Sequence, residues 1–335
     1  MECHTPERGI ERTPTLAVRE LETDLAVTRR EEAAQDVVVF TLERPDGRPL
    51  PEWTPGAHID LVLEPSLVRQ YSLCSSPADT TAWRIGVLLD AASRGGSKLI
   101  HEQLREGSSV CVRGPRNHFP LVDSPRYLFI AGGIGVTPML PMIQLAEAAG
   151  AEWHLLYGGR RRSSMAFVDV LSDKGDRVAI CPQDETGLLD LDAYLGFPRD
   201  DTLVYCCGPE ALLGAVQNAC ASWPAGALHF ERFSAKPRVE ESTEGALDRF
   251  EVICQRSGVT VTVPAAESVL EVVERAGVNV LGSCFEGICG SCEVAVLEGT
   301  PVHRDSVLTD DEREAKEVMM ICVSRSCTER LVLDL

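Results

Sequence analysis

The sequence predicts a multidomain chain with three parts: an antiparallel β-barrel, an α/β unit built on a parallel sheet, and a small α+β unit. Residues 14–122 divide into short segments rich in β-branched residues, punctuated by Pro-Gly, Asp-Gly and Gly-Ser turns. From 123 to 233 strand-like and helix-like stretches alternate, as in a parallel sheet covered by helices. Residues 234–248 are charged, carry Pro and Gly and lack apolar periodicity, so they read as a linker before a compact tail at 249–335.

The barrel strands are expected at "LAVTRR", "DVVVFTLE", "HIDLVLE", "QYSLCS", "WRIGVLL" and "SVCVRG", with one helix at "GSKLIHEQLREG". In the second part, "RYLFIAG", "EWHLLYGG", "RVAICP" and "TLVYCCG" read as strands, and "PMLPMIQLAEAAG" as a helix. In the tail, "RFEVICQRSGVTVTV" reads as a hairpin and "ESVLEVVERAG" as a helix. Ser268 and Glu271 form a capping box at the start of that helix, and Gly277 stands where it stops.

Of the 335 residues 44 % are hydrophobic, ample for buried cores, yet no apolar run approaches the about 18 residues of a membrane span. The polar start "MECHTPERGIERTP" has no signal-peptide character. A soluble cytoplasmic protein is expected. A net charge of −19 argues against nucleic acid as a partner and fits either solubility or charge-steered docking. There are thirteen cysteines, and a reducing cytosol argues against disulfides. Cys74, Cys111, Cys181, Cys220 and Cys254 are scattered and read as small buried hydrophobes.

"CFEGICGSC" does not fit that reading. Its spacing is Cys284-x4-Cys289-x2-Cys292, then 29 intervening residues, then Cys322. Four thiolates bind either zinc or a 2Fe–2S cluster. Structural zinc takes two paired hooks, whereas three ligands from one loop and one from afar is the plant-type ferredoxin pattern. Gly287, Gly290 and Ser291 let the backbone approach the sulfurs closely. Cys327 has no place in the pattern and reads as structural. Residues 249–335 thus resemble a plant-type ferredoxin domain, which implies a β-grasp fold.

Two further motifs join this one. "RQYSL", Arg69 to Leu73, is followed by "SRGGSKLI", where Ser93, Arg94, Gly95, Gly96 and Ser97 open a helix whose N–H groups suit an anion. Alone, that stretch reads as a glycine turn with Ser97 as N-cap. "AGGIGVTPML" follows a strand, with Gly132, Gly133 and Gly135 in the turn, Thr137 as the expected N-cap and Pro138 at the first helical position. Pro138 replaces the third glycine of the dinucleotide fingerprint. A second strand–turn–helix is "CCGPE", with Cys207, Gly208 and Pro209.

Together these motifs are similar to those of the ferredoxin–NADP⁺ reductase superfamily. The resemblance implies that Arg69 and the 93–97 loop hold phosphate, that Tyr71 and Ser72 lie against the isoalloxazine, and that Cys207 lies beside the nicotinamide. It places Arg160 of "YGGR" near the adenosine half and Cys206 in the core. The order of parts, with "FERF" at Phe230 to Phe233 ending the second, resembles the phthalate dioxygenase reductase family. That family implies FMN, NADH and a 2Fe–2S cluster, with electrons passing in that order to a terminal oxygenase. Ser72, Cys207 and Glu231 are then the groups shaping the hydride site, and no nucleophile is needed. The expected partner is a Rieske-type non-haem iron oxygenase acting on an aromatic compound, with a cytochrome P450 as the alternative and a redox-sensing module as a third reading. The chain itself is expected to be a monomer.

Overall fold

The computed structural model describes residues 21–64, 67–90, 95–234 and 246–335. Ser93, Arg94 and most of the 234–248 segment lie outside the described residues.

The first sheet contains β1 (Leu21–Ala34), β2 (Val37–Glu43), β3 (His58–Glu64), β4 (Leu67–Ser72), β5 (Ala82–Leu88) and β6 (Ser109–Arg116), with helix α1 (Gly96–Gln103) between β5 and β6. The strands pair antiparallel in the order β4-β3-β6-β1-β2-β5. The two outer strands meet where Leu73 bridges Ile85, so the sheet closes on itself. Alternation fills the interior: Phe40, Leu42, Ile59, Leu61, Ile85 and Val87 are all buried. Each such side chain contributes about 1.5–3 kcal/mol of burial. Helix α1 departs from expectation at its start. Its N-cap is Gly95 in the left-handed region (φ 94°) and makes no side-chain cap bond. Ser97 lies one residue inside the helix, where its hydroxyl accepts from the Asp90 N–H at 3.2 Å.

The second sheet contains β7 (Arg126–Gly132), β8 (Glu152–Gly159), β9 (Val178–Pro182), β10 (Thr202–Cys207) and β11 (Leu228–Glu231). All pairs are parallel, in the order β11-β10-β7-β8-β9. Central β7 is buried on both faces: Tyr127, Phe129 and Ala131 pack into one cluster, Leu128 and Ile130 into the other. Helices α2 (Met139–Ala148), α3 (Val168–Ser172), α4 (Gln183–Thr186), α5 (Leu191–Leu195) and α6 (Glu210–Ala219) complete this part. Thr137 is not the N-cap expected of it. A 3₁₀ turn at Gly133–Val136 runs straight toward α2, so Thr137 is already helical and its hydroxyl donates to the Ile134 carbonyl at 2.9 Å. Pro138 takes the N-cap position.

The tail contains β12 (Phe250–Cys254), β13 (Val259–Val263), α7 (Val269–Arg275), β14 (Glu293–Glu298), β15 (Pro301–Val302), α8 (Asp310–Ala315), β16 (Val318–Met320), β17 (Arg325–Ser326) and β18 (Arg330–Leu333). Its five-stranded mixed sheet runs β13-β12-β18-β14-β16, and β15 pairs with β17. Buried residues of α7 (Val269, Leu270, Val273) share one core with Phe250, Val252 and Leu331 of the sheet, as in a β-grasp fold. The Ser268–Glu271 capping box forms in both directions, and Gly277 follows the helix at φ 86°.

Cys74, Cys220 and Cys254 are buried as expected, but Cys111 and Cys181 are only half-buried and Cys327 is exposed. Cys111 and Cys181 lie on strands β6 and β9, which leave them partly in solvent.

Candidate functional site

One cleft joins all three parts of the chain. It is lined by His58, Tyr71 and Ser72 of the barrel, Glu231 and Phe233 from the end of the parallel sheet, and Cys284 of the tail. Each arrives by strand register. Strand β4 ends at Ser72, opposite His58, just before the bridge that closes the barrel. Strand β11 ends at Glu231, level with Cys207 on its parallel neighbour.

Ser72, Cys207 and Glu231, widely separated in sequence, therefore meet. The Cys207 sulfur lies 4.0 Å from a Glu231 carboxylate oxygen. Burial pushes the Glu231 pKa up to about 8, against a smaller downward pull from the Ser72 hydroxyl. That hydroxyl is buried and makes no hydrogen bond of ordinary geometry, so it is available to a bound group. Burial also raises the Cys207 thiol well above its usual range, which keeps it a neutral thiol. Cys206 packs into the opposite face of the sheet, and Cys207 into the near one.

Arg69 lies against the bare α-carbon of Gly96, where an added Cβ would come within 2.5 Å of its Nε. The guanidinium and the uncapped start of α1 thus share one place, a cradle suited to phosphate. Tyr71 borders the same cleft, and burial pushes its phenol above the ordinary range.

The two glycine turns press together. A Cβ on Gly135 would overlap the Cys207 carbonyl, and one on Gly132 would sit 2.7 Å from Pro209 Cδ. Gly133 adopts φ 55° and Gly208 lies 3.0 Å from the Gly132 backbone by the same test. Side chains larger than hydrogen would part the turns and close the approach of a dinucleotide. Arg160 is exposed beyond β8, whereas Arg162 is held by Glu185, Nη2 to carboxylate 2.7 Å.

The four cysteines of the spaced motif converge. The Cys284 sulfur lies beside those of Cys289 and Cys322, and the Cys292 sulfur beside that of Cys322. The loop carries left-handed backbone at Gly287 (φ 69°) and Gly290 (φ 70°). This turns N–H groups toward sulfur: Glu286 N–H donates to Cys284 Sγ at 3.3 Å. The Ser291 hydroxyl is 3.0 Å from Cys289 Sγ. Ile321 N–H donates to the Cys292 carbonyl at 3.2 Å and so brings in Cys322. Proximity of the thiols pulls Cys284 and Cys292 down in pKa and pushes Cys289 and Cys322 up, as sulfurs that share protons do. Four largely buried soft donors linked in pairs, with N–H groups aimed at sulfur, fit a binuclear iron–sulfur cluster. The buried Ser72 hydroxyl and the Arg69–Gly96 cradle fit, respectively, a flavin ring and its phosphate.

Three residues at the junction were not singled out from sequence. Gln70 contacts Ser283 from the barrel side. His58 and His118 lie with ring centroids 5.9 Å apart and their planes tilted by 31°, and His118 covers the bare α-carbon of Gly290. Only Gln70 carried any signal, as the second residue of "RQYSL".

Comparison with known proteins agrees with this geometry. The 2Fe-2S iron-sulfur cluster binding domain family matches residues 252–327. The chain is 43 % identical to the phenoxybenzoate dioxygenase subunit beta of Ectopseudomonas oleovorans, covering 90 % of this chain and 94 % of that one. It is 40 % identical to the vanillate O-demethylase oxidoreductase of Pseudomonas sp. (strain HR199 / DSM 7063), covering 90 % and 96 %. Among solved structures, phthalate dioxygenase reductase superposes with a TM-score of 0.68 at 37 % identity over 94 % of this chain and 98 % of that one. An intact type IV self-sufficient cytochrome P450 monooxygenase superposes with a TM-score of 0.88 at 45 % identity; 94 % of this chain is covered but only 41 % of that longer protein. Among the described residues no helix is long and apolar enough to cross a membrane. A barrel with a phosphate cradle, a parallel sheet with paired glycine turns and a four-thiolate tail, together with these relatives, place the chain in the phthalate dioxygenase reductase family of flavin- and 2Fe–2S-containing, nicotinamide-dependent oxidoreductases.

Proposed function

We propose that the chain is the NADH-dependent reductase component of a two-component oxygenase, passing electrons from NADH through FMN and the 2Fe–2S cluster to a Rieske-type oxygenase acting on an aromatic compound. The observation that carries this reading is the shared cleft, in which Ser72, Tyr71 and Glu231 face the same space as the cluster ligand Cys284. A flavin supplies the exchange between two-electron hydride chemistry and the one-electron chemistry of the cluster. The residues divide the remaining work. Arg69 and the start of α1 hold phosphate. Gly132, Gly135 and Cys207–Pro209 let the dinucleotide approach. Ser72 offers a hydroxyl at the hydride site, and Glu231, largely protonated below about pH 8, keeps a carboxyl there without adding negative charge. Tyr71 borders the flavin's space. Cys284, Cys289, Cys292 and Cys322 hold iron.

NADH rather than NADPH is what the family resemblance supports. The arginine run after β8, Arg160 to Arg162, taken alone argues for NADPH, but that argument is weakened at one of its three members. Arg162 is already engaged by Glu185, and Asp184 adds negative charge beside it. The 2′-phosphate of NADPH requires free cationic groups there.

A second reading exchanges the partner for a cytochrome P450, favoured by the 45 % identity to part of the self-sufficient P450. Purified chain, NADH and either a Rieske oxygenase or a P450 from the same genome test the choice. Coupled hydroxylation or demethylation with the Rieske protein alone supports the first reading, and with the P450 alone the second.

A further inference from the structure

Gln70 lies between Arg69 and Tyr71 but faces a different task. Directly across the strand pair from it is Asp60. Asp60 is 1 % exposed, and its carboxylate is ion-paired with Arg116 at 2.5 Å. A carboxylate held by a guanidinium can only accept, so Gln70 turns its NH₂ toward it and donates to Asp60 Oδ1 at 3.1 Å. This fixes the amide in one orientation, with its second N–H toward the cluster loop. The same nitrogen is 3.5 Å from Ser283 Oγ, across a sequence separation of 213 residues. The Cys289 sulfur lies in the same part of the loop, close enough to the Gln70 side chain to feel its donor. His118 closes the neighbouring side, since its ring occupies the space a Cβ on Gly290 would need. The cluster loop is thereby seated on the barrel by one oriented donor and one fitted ring.

We propose that Gln70 is a positioning residue that ties the flavin-bearing strand to the cluster loop and, by donating a hydrogen bond to the Cys289 thiolate, raises the potential at which the cluster accepts an electron. The physical reason is charge. Reduction adds a negative charge to the cluster, and an N–H aimed at sulfur stabilises the reduced form more than the oxidised one. The step it favours is transfer of one electron from reduced flavin to oxidised cluster, in which no bond forms or breaks at the iron. Asp60 and Arg116 serve this role at one remove, by preventing the amide from turning its carbonyl toward the sulfur.

The proposal rests on the assignment of the four cysteines as cluster ligands, which iron and flavin content of the same samples tests separately. The experiment is a redox titration of full-length Gln70→Leu and Gln70→Glu, with the cluster followed by electron paramagnetic resonance and the flavin by absorbance. For Gln70→Leu the equilibrium constant for flavin-to-cluster transfer should fall about tenfold, a shift of about 59 mV to more negative cluster potential. Gln70→Glu, which puts an acceptor where the donor was, should shift it further in the same direction. Ser283→Ala, which leaves the bond to Cys289 in place, should change it less than twofold. Should Gln70→Leu lose iron, Gln70→Met keeps the side-chain volume without its donors and is read in the same way. A merely structural role would lower thermal stability and leave the potential alone. Fully loaded Gln70 variants within twofold of the native equilibrium would overturn the proposal.

Discussion

The two ends of the cleft solve opposite electrostatic problems. At one end Ser72 and Cys207 are buried and Glu231 is half-buried, all few in hydrogen bonds and kept neutral, with Glu231 pushed up to about 8 and Cys207 well above its usual range. At the other end the thiols of Cys284 and Cys289 sit among donors from the backbone and Ser291, with the Gln70 amide beside the loop at Ser283. A hydride carries its charge with it, so its site is best without fixed charge of either sign. A cluster that gains a bare electron needs donors already in place, because nothing else compensates the added charge. The contrast gives each end its own way to fail.

The largest effect is expected at the cluster end. Cys322→Ser removes the ligand that closes the four-thiolate set, so the purified variant should retain flavin and lose its iron. NADH should still bleach the flavin, while electron delivery to a protein acceptor falls to near zero. Metal analysis together with anaerobic flavin reduction checks both halves.

Next comes the hydride end. Ser72→Ala removes a hydroxyl that is buried there without an ordinary hydrogen bond. Flavin reduction by NADH should slow about a hundredfold, the scale of losing one placed donor, with iron content unchanged. Stopped-flow absorbance reads the rate directly. A slowing of cluster reduction with flavin reduction intact would reverse the assignment of the two ends.

Glu231 gives a smaller, pH-dependent effect. Its folded pKa is raised to about 8 from an ordinary value of 4.5. Below the ordinary value it is neutral whether the chain is folded or not, and folding pays no penalty. As pH rises toward 8 the unfolded chain ionises while the folded one resists, so stability falls across that window and levels off above it. Glu231→Gln abolishes this slope. The variant should gain on the native chain between about pH 5 and 8, by on the order of a few kcal/mol at most. Denaturant midpoints at the two pH values check it, and equal slopes in both proteins would show that Glu231 ionises freely.

The smallest effect concerns coenzyme choice. Native kcat/KM should favour NADH. Glu185→Ala frees Arg162 and should raise the NADPH value a few-fold. A native preference for NADPH would contradict the NADH reading.

These contrasts bear on what the sequence made legible. Strands such as His58–Glu64 and Arg126–Gly132 fall where alternation or an unbroken apolar run placed them, because a two-residue period is a local property. The cysteine motif was equally plain, since its ligand spacing is nearly all within one loop. Barrel closure at Leu73–Ile85 was not visible, nor was the pairing of Asp60 with Gln70, because both depend on register between strands. The Thr137 cap was misjudged for a related reason: a 3₁₀ turn in front of α2 removed the extended residue that a cap requires. His118 carries no sequence signal at all, for its partner is a bare glycine 172 positions away. Ser93 and Arg94, read as part of the phosphate loop, lie outside the described residues.

The central claim is that electrons enter at the hydride end and leave through the cluster. Anaerobic single-turnover mixing with NADH tests it most directly, with flavin followed by absorbance and the cluster by rapid-freeze paramagnetic resonance, in the native chain and in Cys322→Ser. The expected result is flavin reduction first and cluster reduction after it in the native chain, with the first phase unchanged in Cys322→Ser and delivery to the partner abolished. Cluster reduction that precedes the flavin phase, or a partner reduced at the native rate by the iron-free variant, would contradict it.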